Sequence, residues 1–166
     1  MSGADAGAEI EGYASLFGRI DLSRDMVERG AFADSLVRRG AAGVKLLWQH
    51  DPAQPVGIWT VIREDARGLF VRGRLNTEVA RARELLALIR QGALDGLSIG
   101  YRTVRARTDP ATRVRRLLAV DLQEVSLVTF PMLPEARVSA PGGDAPLLAE
   151  TIRTATERLF SERRTR

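Results

Sequence analysis

The stretch VGIWTVIREDARGLFVRGRL, residues 56–75, has the pattern of two β-strands joined by a short turn. Residues 56–63 and 69–75 are rich in apolar and β-branched side chains, and the five residues between them end in Gly68. A connection of this length that contains glycine is typical of a β-hairpin. Because a hairpin joins neighbouring antiparallel strands, this stretch disfavours a regularly alternating α/β sheet.

Strand-like segments also lie on both sides of the hairpin. Apolar and small residues alternate with others from Ile10 onward, and further strands are predicted over residues 44–50, 97–105 and 115–130. About six short strands are therefore expected. A set of this kind predicts a mainly antiparallel β core that closes, or nearly closes, into a barrel.

Two segments have helical spacing of their apolar residues instead. Residues 30–39 are predicted to form a short helix with Val37 on its buried side, and residues 77–91 a longer one. A third helix is expected over residues 147–160. The predicted fold class is therefore mainly β with peripheral helices (α+β), an antiparallel β-barrel wrapped by two or three helices.

Three regions differ in composition. Residues 1–8 are small and acidic and are predicted to be a disordered lead-in. Residues 9–140 are predicted to form one folded domain, since a chain of 166 residues suits a single compact core. Residues 141–166 are predicted to be a Pro-Gly-Gly linker followed by a helical, Arg-rich tail.

The chain contains no cysteine and a single histidine, His50. That composition excludes disulfides, zinc fingers, iron–sulfur clusters, Cys-His proteases and multi-histidine metal sites. For the serine chemistry considered below, no metal or organic cofactor is expected. Any acid–base chemistry by histidine must use His50.

The net charge of +4 comes largely from one segment. Residues 102–116 hold six arginines and one acidic residue, and no aromatic side chain is interleaved with them for base stacking. Nucleic-acid binding is therefore disfavoured. No stretch approaches the length of about 20 apolar residues that spans a bilayer, so a soluble, intracellular protein without a membrane partner is expected.

Three polar residues stand out against apolar strand patterns. Counting by twos, His50 shares a strand face with Trp48, and Glu124 falls in phase with Leu122. Ser98 lies in DGLSIGY, residues 95–101, with a glycine two positions away on each side. Each also has a structural alternative. His50 could be a core histidine with satisfied hydrogen bonds, Ser98 a small residue in a tight strand, and Glu124 the partner of an arginine in an ion pair.

Together these three residues supply the groups that acyl transfer by serine requires. Neutral His50 can accept the proton of Ser98 as its hydroxyl attacks a carbonyl, and Glu124 can hold the imidazole in one tautomer. Lys45 offers a rival serine–lysine dyad, but it projects from the strand face opposite His50. The sequence therefore favours the dyad that uses histidine.

The chain resembles the prohead (capsid maturation) serine proteases of tailed phages, a family also found in gene transfer agents. The resemblance spans about residues 10–138 and depends on an ordered set of motifs rather than on one. These motifs are Gly12-Tyr13-Ala14-Ser15 with Phe17 and Asp21, Gly30-Ala31-Phe32, Leu46-Leu47-Trp48-Gln49-His50-Asp51, Gly57, Gly68-Leu69, Gly92 with Leu94, Leu97-Ser98-Ile99-Gly100-Tyr101, and Glu124-Val125-Ser126-Leu127-Val128 followed by Pro131.

The resemblance implies roles for particular residues. It places the family's nucleophile at Ser98 and its general base at His50, with Glu124 as the residue that orients the base and Asp121 or Asp51 as alternatives. The herpesvirus assemblins, distantly similar in fold, use an arginine pair for the oxyanion. The nearest match here is Arg137, and backbone N–H groups are an equal candidate.

The resemblance also implies a biological role. Family members are serine endopeptidases that cleave scaffold segments from capsid proteins inside the immature shell, in the cytoplasm of the bacterial host, and commonly process themselves. The implied partners are the major capsid protein or its scaffold segment and, through self-association, a second copy. A non-catalytic capsid assembly or scaffolding protein and a nucleic-acid-binding barrel are the alternative functions.

Overall fold

The computed structural model describes residues 7–141, which form eight strands and two helices. The first six residues lie outside the described part, as do residues 142–166 of the predicted linker and tail (141–166) with the helix predicted over residues 147–160. The elements are β1 (Gly7–Leu16), β2 (Asp25–Val27), α1 (Ala33–Arg39), β3 (Lys45–Trp48), β4 (Asp51–Glu64), β5 (Gly68–Asn76), α2 (Ala80–Arg90), β6 (Gly96–Thr108), β7 (Arg115–Val128) and β8 (Arg137–Ser139).

Seven of the strands close into a barrel. They follow the order β7-β3-β4-β5-β1-β8-β6, and β6 pairs with β7 to complete the ring, while β2 adds to β7. Most neighbours are antiparallel, but β7 runs parallel to both β2 and β3. The prediction of a mainly β barrel with peripheral helices is confirmed, whereas the prediction that it is antiparallel is only partly right, because the barrel is mixed.

The hairpin that directed the sequence analysis is present as β4 and β5. Tyr13 and the backbone N–H groups of Arg67 and Gly68 donate hydrogen bonds to Asp65 in the connecting turn. These hydrogen bonds, with that of Tyr13 the largest contribution, hold the pKa of Asp65 at about 2. A carboxylate that accepts several N–H groups fixes the turn and therefore the register of the two strands.

The core fills the barrel and extends under the helices. Trp59 is its largest buried side chain, and its indole Nε1 donates to the carbonyl of Val125 at 3.2 Å. The other large side chains that are fully buried are Phe32, Ile10, Leu46, Leu69, Leu75, Leu85, Leu97, Leu117, Leu122, Leu127 and Val44. Together with Trp59 they come from six strands or their flanks, from α2 and from the residue before α1, so the barrel and its helices share one core.

Several local predictions need correction. Val37 was predicted to be buried, but it is 88% exposed, because α1 begins at Ala33 and turns a different face to the barrel. β1 already includes residues 7 and 8 of the predicted lead-in. The short strands β2 and β8 have no predicted counterpart, since three residues are too few to show an alternating pattern.

Candidate active site

A cleft of about 210 Å³ opens beside the beginning of β6. Ser98 and His50 both line this cleft, and Ser98 is 7% exposed. Ser98 Oγ makes no hydrogen bond. Since every buried side-chain oxygen or nitrogen in residues 7–141 does have a partner, this oxygen is not buried and is open to the cleft. The remaining lining residues are Ala14, Ser15, Leu16, Arg19, Asp21, Ser23, Asp25, Val27, Leu97, Ile99, Tyr101, Met132 and Leu133.

Strands β6 and β7 bring four small or polar residues onto one face. Ser98 pairs with Ser126, and Gly100 pairs with Glu124. Directly opposite residues of an antiparallel pair point to the same side of the sheet. The four residues therefore lie together, on the face opposite the fully buried Val125.

A bulge in β7 determines the direction of the Glu124 side chain. The register passes from the Gly100–Glu124 pair to the Tyr101–Leu122 pair, so that Gln123 is an extra residue. The prediction that Glu124 is in phase with Leu122 is therefore wrong, because the extra residue reverses the alternation. The carboxylate points away from the core and is 14% exposed.

His50 lies in a tight turn, whereas the sequence placed it at the end of a strand. β3 ends at Trp48, which pairs with Asp51, and the two turn residues Gln49 and His50 have φ values of 53° and 59°. Two consecutive residues with positive φ are the requirement of a type I′ hairpin turn, at a cost of about 1–2 kcal/mol per non-glycine residue. The Gln49 side chain donates to Thr129 Oγ1 at 2.9 Å, which anchors this turn beside the end of β7.

The turn brings His50 against Glu124. His50 Nδ1 lies 2.5 Å from Glu124 Oε1, and the histidine side chain is 42% exposed. The hydrogen bond that His50 donates to Glu124 raises the pKa of His50 above its ordinary value, although partial burial acts in the opposite direction. With Nδ1 engaged by the carboxylate, Nε2 is the ring nitrogen left to exchange a proton.

Two further residues fix the Glu124 carboxylate. Ser126 Oγ, which is fully buried, donates to Glu124 Oε2. On the other side Gly100 leaves space for the carboxylate, since an added Cβ would lie 2.6 Å from Glu124 Cδ and 2.8 Å from Cγ. One oxygen of Glu124 therefore faces His50 while the other is held by Ser126.

A second polar cluster lies in the wall of the cleft. Asp25 is 5% exposed and accepts hydrogen bonds from Arg115 Nε at 2.7 Å and from the Tyr101 hydroxyl at 2.9 Å. The bonds from Arg115 hold the pKa of Asp25 below its usual value, and burial raises the pKa of Tyr101. This wall of the cleft is therefore charge-compensated.

Comparison with known proteins identifies the family. A model described as caudovirus prohead serine protease matches residues 1–145. The chain belongs to the caudovirus prohead serine protease family. The resemblance inferred from the sequence motifs is confirmed at the level of this family.

Two curated prohead proteases are similar in sequence. That of Enterobacteria phage HK97 is 33% identical over 136 residues, covering 79% of this chain and 59% of the relative. That of Escherichia phage T5 is 27% identical over 124 residues, covering 74% of this chain and 58% of the relative. The chain thus spans somewhat less than two thirds of the length of these relatives.

Solved structures support the fold. The bacteriophage T4 capsid assembly protease superposes with a TM-score of 0.57 at 19% identity, covering 79% of this chain and 87% of that chain. The protease of varicella-zoster virus gives a TM-score of 0.50 at 16% identity, covering 80% and 63%. This member of the prohead serine protease family therefore has a barrel similar to that of a herpesvirus protease.

The alternatives to Glu124 are engaged elsewhere. Asp121 accepts hydrogen bonds from Arg38 and Arg39 of α1. Asp51 accepts the backbone N–H of Ala53 and therefore stabilises the beginning of β4. Neither carboxylate is brought to His50.

Neither Lys45 nor Arg137 is among the residues that line the cleft at Ser98. Lys45 is exposed and does not line the cleft. Arg137 in β8 lies 2.5 Å from Asp95 in an ion pair and lines a different depression, with Arg19 and Arg67. The arginine predicted for the oxyanion therefore does not reach the cleft, whereas Arg19 does line it.

Sequence reasoning noted that Gly100 gives room beside Ser98, but it assigned neither Ser126 nor Gly100 a role at Glu124. A count by twos from Glu124 reaches Ser126, and the same count from Ser98 reaches Gly100, so a signal was present. What the sequence did not contain was the register that places these two residues beside one carboxylate.

Neither a metal site nor a membrane span is evident in the described region. Among residues 7–141 no three acidic or histidine side chains are grouped as metal ligands would be. Within the same range no helix has the length and hydropathy that would cross a bilayer.

Proposed function

We propose that this chain is a serine endopeptidase that cleaves capsid or scaffold protein segments during maturation of a phage prohead. The observation that carries the proposal is that His50, held by Glu124, lines the same cleft as the open Ser98 hydroxyl. Family membership and the T4 capsid assembly protease fold support it. The proposed site of action is the interior of the assembling shell.

The proposed reaction has two halves. Ser98 Oγ attacks the scissile carbonyl carbon while His50 Nε2 accepts its proton, and the tetrahedral intermediate collapses as the imidazolium protonates the leaving amine. Water then attacks the acyl-enzyme and loses a proton to His50, and as the ester bond breaks the imidazolium returns that proton to Ser98 Oγ, which releases the acid product. Throughout, Glu124 accepts the Nδ1 hydrogen and stabilises the imidazolium.

The oxyanion requires donors aimed at the carbonyl oxygen. The ion pair of Arg137 with Asp95, outside the cleft, favours backbone N–H groups for this role. The pairing partner Ser126 is not a rival nucleophile, because it is fully buried and its hydroxyl is bound to Glu124. Ser98 is therefore the proposed nucleophile.

A fluorophosphonate probe tests the site without knowledge of the substrate. Intact-mass spectrometry should show one adduct, mapped to Ser98 by peptide analysis, with no adduct in Ser98→Ala and a rate reduced about 10³-fold in His50→Ala. Ser139→Ala, at an exposed position of β8, is the matched control and should react like the wild type. An adduct on another serine, or full labelling of Ser98→Ala, would refute the assignment.

The biological substrate is tested by co-expression with a candidate phage capsid protein. The proposal expects a truncated capsid protein with the wild-type chain and the full-length one with Ser98→Ala. Mass spectrometry of the purified protease would reveal self-cleavage as a shortened chain. Processing that continues with Ser98→Ala would contradict the proposed role.

A further inference from the structure

The cleft at Ser98 is small, but a band of exposed apolar residues continues from it. Eight large hydrophobic side chains of residues 7–141 are exposed, and four of them lie on two neighbouring loops. These four are Ile20 at 52%, Leu22 at 73%, Phe130 at 90% and Met132 at 47% exposure. We call them the apolar rim. Single exposed hydrophobics need no explanation, but a cluster on one surface does.

The rim is continuous with the cleft. Met132 itself lines the cleft together with Ser98, and the backbone N–H of Leu22 donates to the carbonyl of Met132 at 3.0 Å. This bond joins the two loops edge to edge. Phe130 lies two residues before Met132, on the other side of the buried Pro131. Met132 is the rim residue that lines the cleft, and a chain that extends from Ser98 past Met132 reaches the two loops that carry the other three.

The loop that carries Leu22 is held in place by its own hydrogen bonds. Asp21 Oδ1 accepts from the backbone N–H groups of Ser23 and Asp25, and the Ile20–Met26 bridge closes the base of the loop. The exposed leucine is thus presented by a fixed backbone. A surface that is ordered before binding loses less entropy when a partner docks.

The size of the cleft explains why the rim is needed. Pockets that enclose a small molecule commonly measure about 300–1,000 Å³, whereas this cleft measures about 210 Å³. It therefore accommodates little more than one side chain of a substrate. Most of the binding of an extended polypeptide must come from surfaces beside it.

We propose that the apolar rim is a substrate-binding subsite and that this enzyme selects polypeptide segments with a large apolar side chain within about three residues of the scissile bond. Three extended residues span roughly 10 Å, which reaches from a cleft onto its border. The proposal rests on the proposed protease function and names the class of segment that this same site prefers. The occupant is the substrate chain.

A defined mixture of synthetic 14-residue peptides, analysed by mass spectrometry, tests the proposal. With the wild type, cleaved bonds should be enriched in Leu, Ile, Met or Phe within three positions. In the double variant Leu22→Ser/Phe130→Ser, kcat/KM for the best peptide should fall about tenfold and the enrichment should disappear. Val37→Ser is the control, since Val37 is 88% exposed on α1, and it should behave as the wild type.

The fluorophosphonate reaction separates the two levels of the argument. If wild-type Ser98 is not labelled, the proposed function fails. If Ser98 is labelled but the double variant keeps the wild-type preference and kcat/KM, only the rim proposal is overturned. The rim proposal would also be overturned if the double variant lost labelling rate in parallel with peptide cleavage, because the substitutions would then have damaged the catalytic groups. It would be overturned as well if the wild type were a dimer that the double variant lost with unchanged peptide preference, because the rim would then be an interface between copies.

Discussion

The substitution Gly100→Ala should displace one of the proposed catalytic groups while leaving the barrel nearly as stable as in the wild type. The new Cβ would lie 2.6 Å from Glu124 Cδ, whereas ordinary contacts begin near 3.4 Å, so the carboxylate carbon must move by about 0.8 Å or more. The obstructing atoms are the end of a flexible side chain. Glu124 can swing away at little cost to the fold, but in doing so it leaves His50, whose Nδ1 is 2.5 Å from Oε1.

The expected result is a folded and poorly active enzyme. A displacement of about 1 Å in a catalytic group costs on the order of 10²-fold in rate, and loss of the residue that orients the base costs up to about 10⁴-fold. We therefore expect kcat and the fluorophosphonate rate to fall at least about 10²-fold, while the thermal midpoint changes by only a few degrees. Gly7→Ala is the matched control, because its Cβ would meet Arg74 at 3.2 Å, a contact requiring only a slight shift.

The pH profile of the same variant supplies an independent readout. The base works when His50 is neutral, so activity rises as the pH passes upward through the His50 pKa. Glu124 raises that pKa in the wild type, and its displacement should move the acid limb of the labelling rate to lower pH. If Gly100→Ala were labelled as fast as the wild type, with the acid limb of its pH profile at the same pH, the role given to Glu124 would be refuted.

Three further predictions concern the surroundings of the site. Ser126→Ala should lower kcat about tenfold with little change in KM, because Glu124 Oε2 loses its donor, and a steady-state assay that finds both constants unaltered would contradict this. Arg115→Ala should cost about 2 kcal/mol in urea unfolding, less than a fully buried pair because Arg115 is 46% exposed. The Asp25 pKa is lowered in the folded protein, so the ion pair stabilises the fold at pH values above the unfolded-state pKa of Asp25 and stops doing so as the pH falls through its folded-state pKa. The difference in unfolding free energy between wild type and Arg115→Ala should therefore vanish in acid. Trp59→Phe should cost about 2 kcal/mol, because the buried carbonyl of Val125 loses its donor, and an unchanged urea midpoint would argue against that bond.

Local patterns were sufficient for much of the secondary structure. The β4–β5 hairpin, α2 and the two long strands β6 and β7 follow from alternation, helical spacing and turn glycines, which are properties of neighbouring residues. The parallel pairing of β3 with β7 depends on contacts between residues about 80 positions apart in the chain. No period in the sequence encodes such a contact, so the parallel pairs were not foreseen and a mainly antiparallel barrel was predicted.

The residues of the site were predicted from the sequence, but the structure changes two of the reasons for choosing them. Glu124 was selected because it interrupted an apolar phase, but the bulge at Gln123 turns it out of that phase and toward His50. The turn at Gln49 and His50 was missed because neither is a usual left-handed residue, and tertiary contacts hold it there. The functional roles of Ser98, His50 and Glu124 remain predictions that the labelling experiments address.

Strand β7 pairs with β2, β3 and β6, and it also carries Glu124 and Ser126. During synthesis the chain presents Ser98 and His50 well before this strand emerges, yet neither the barrel nor the carboxylate is available until it does. Assembly of the proposed catalytic groups is thus coupled to completion of the barrel. Under the proposed function, a nascent or truncated chain that stops short of β7 lacks Glu124 and could not cleave its neighbours.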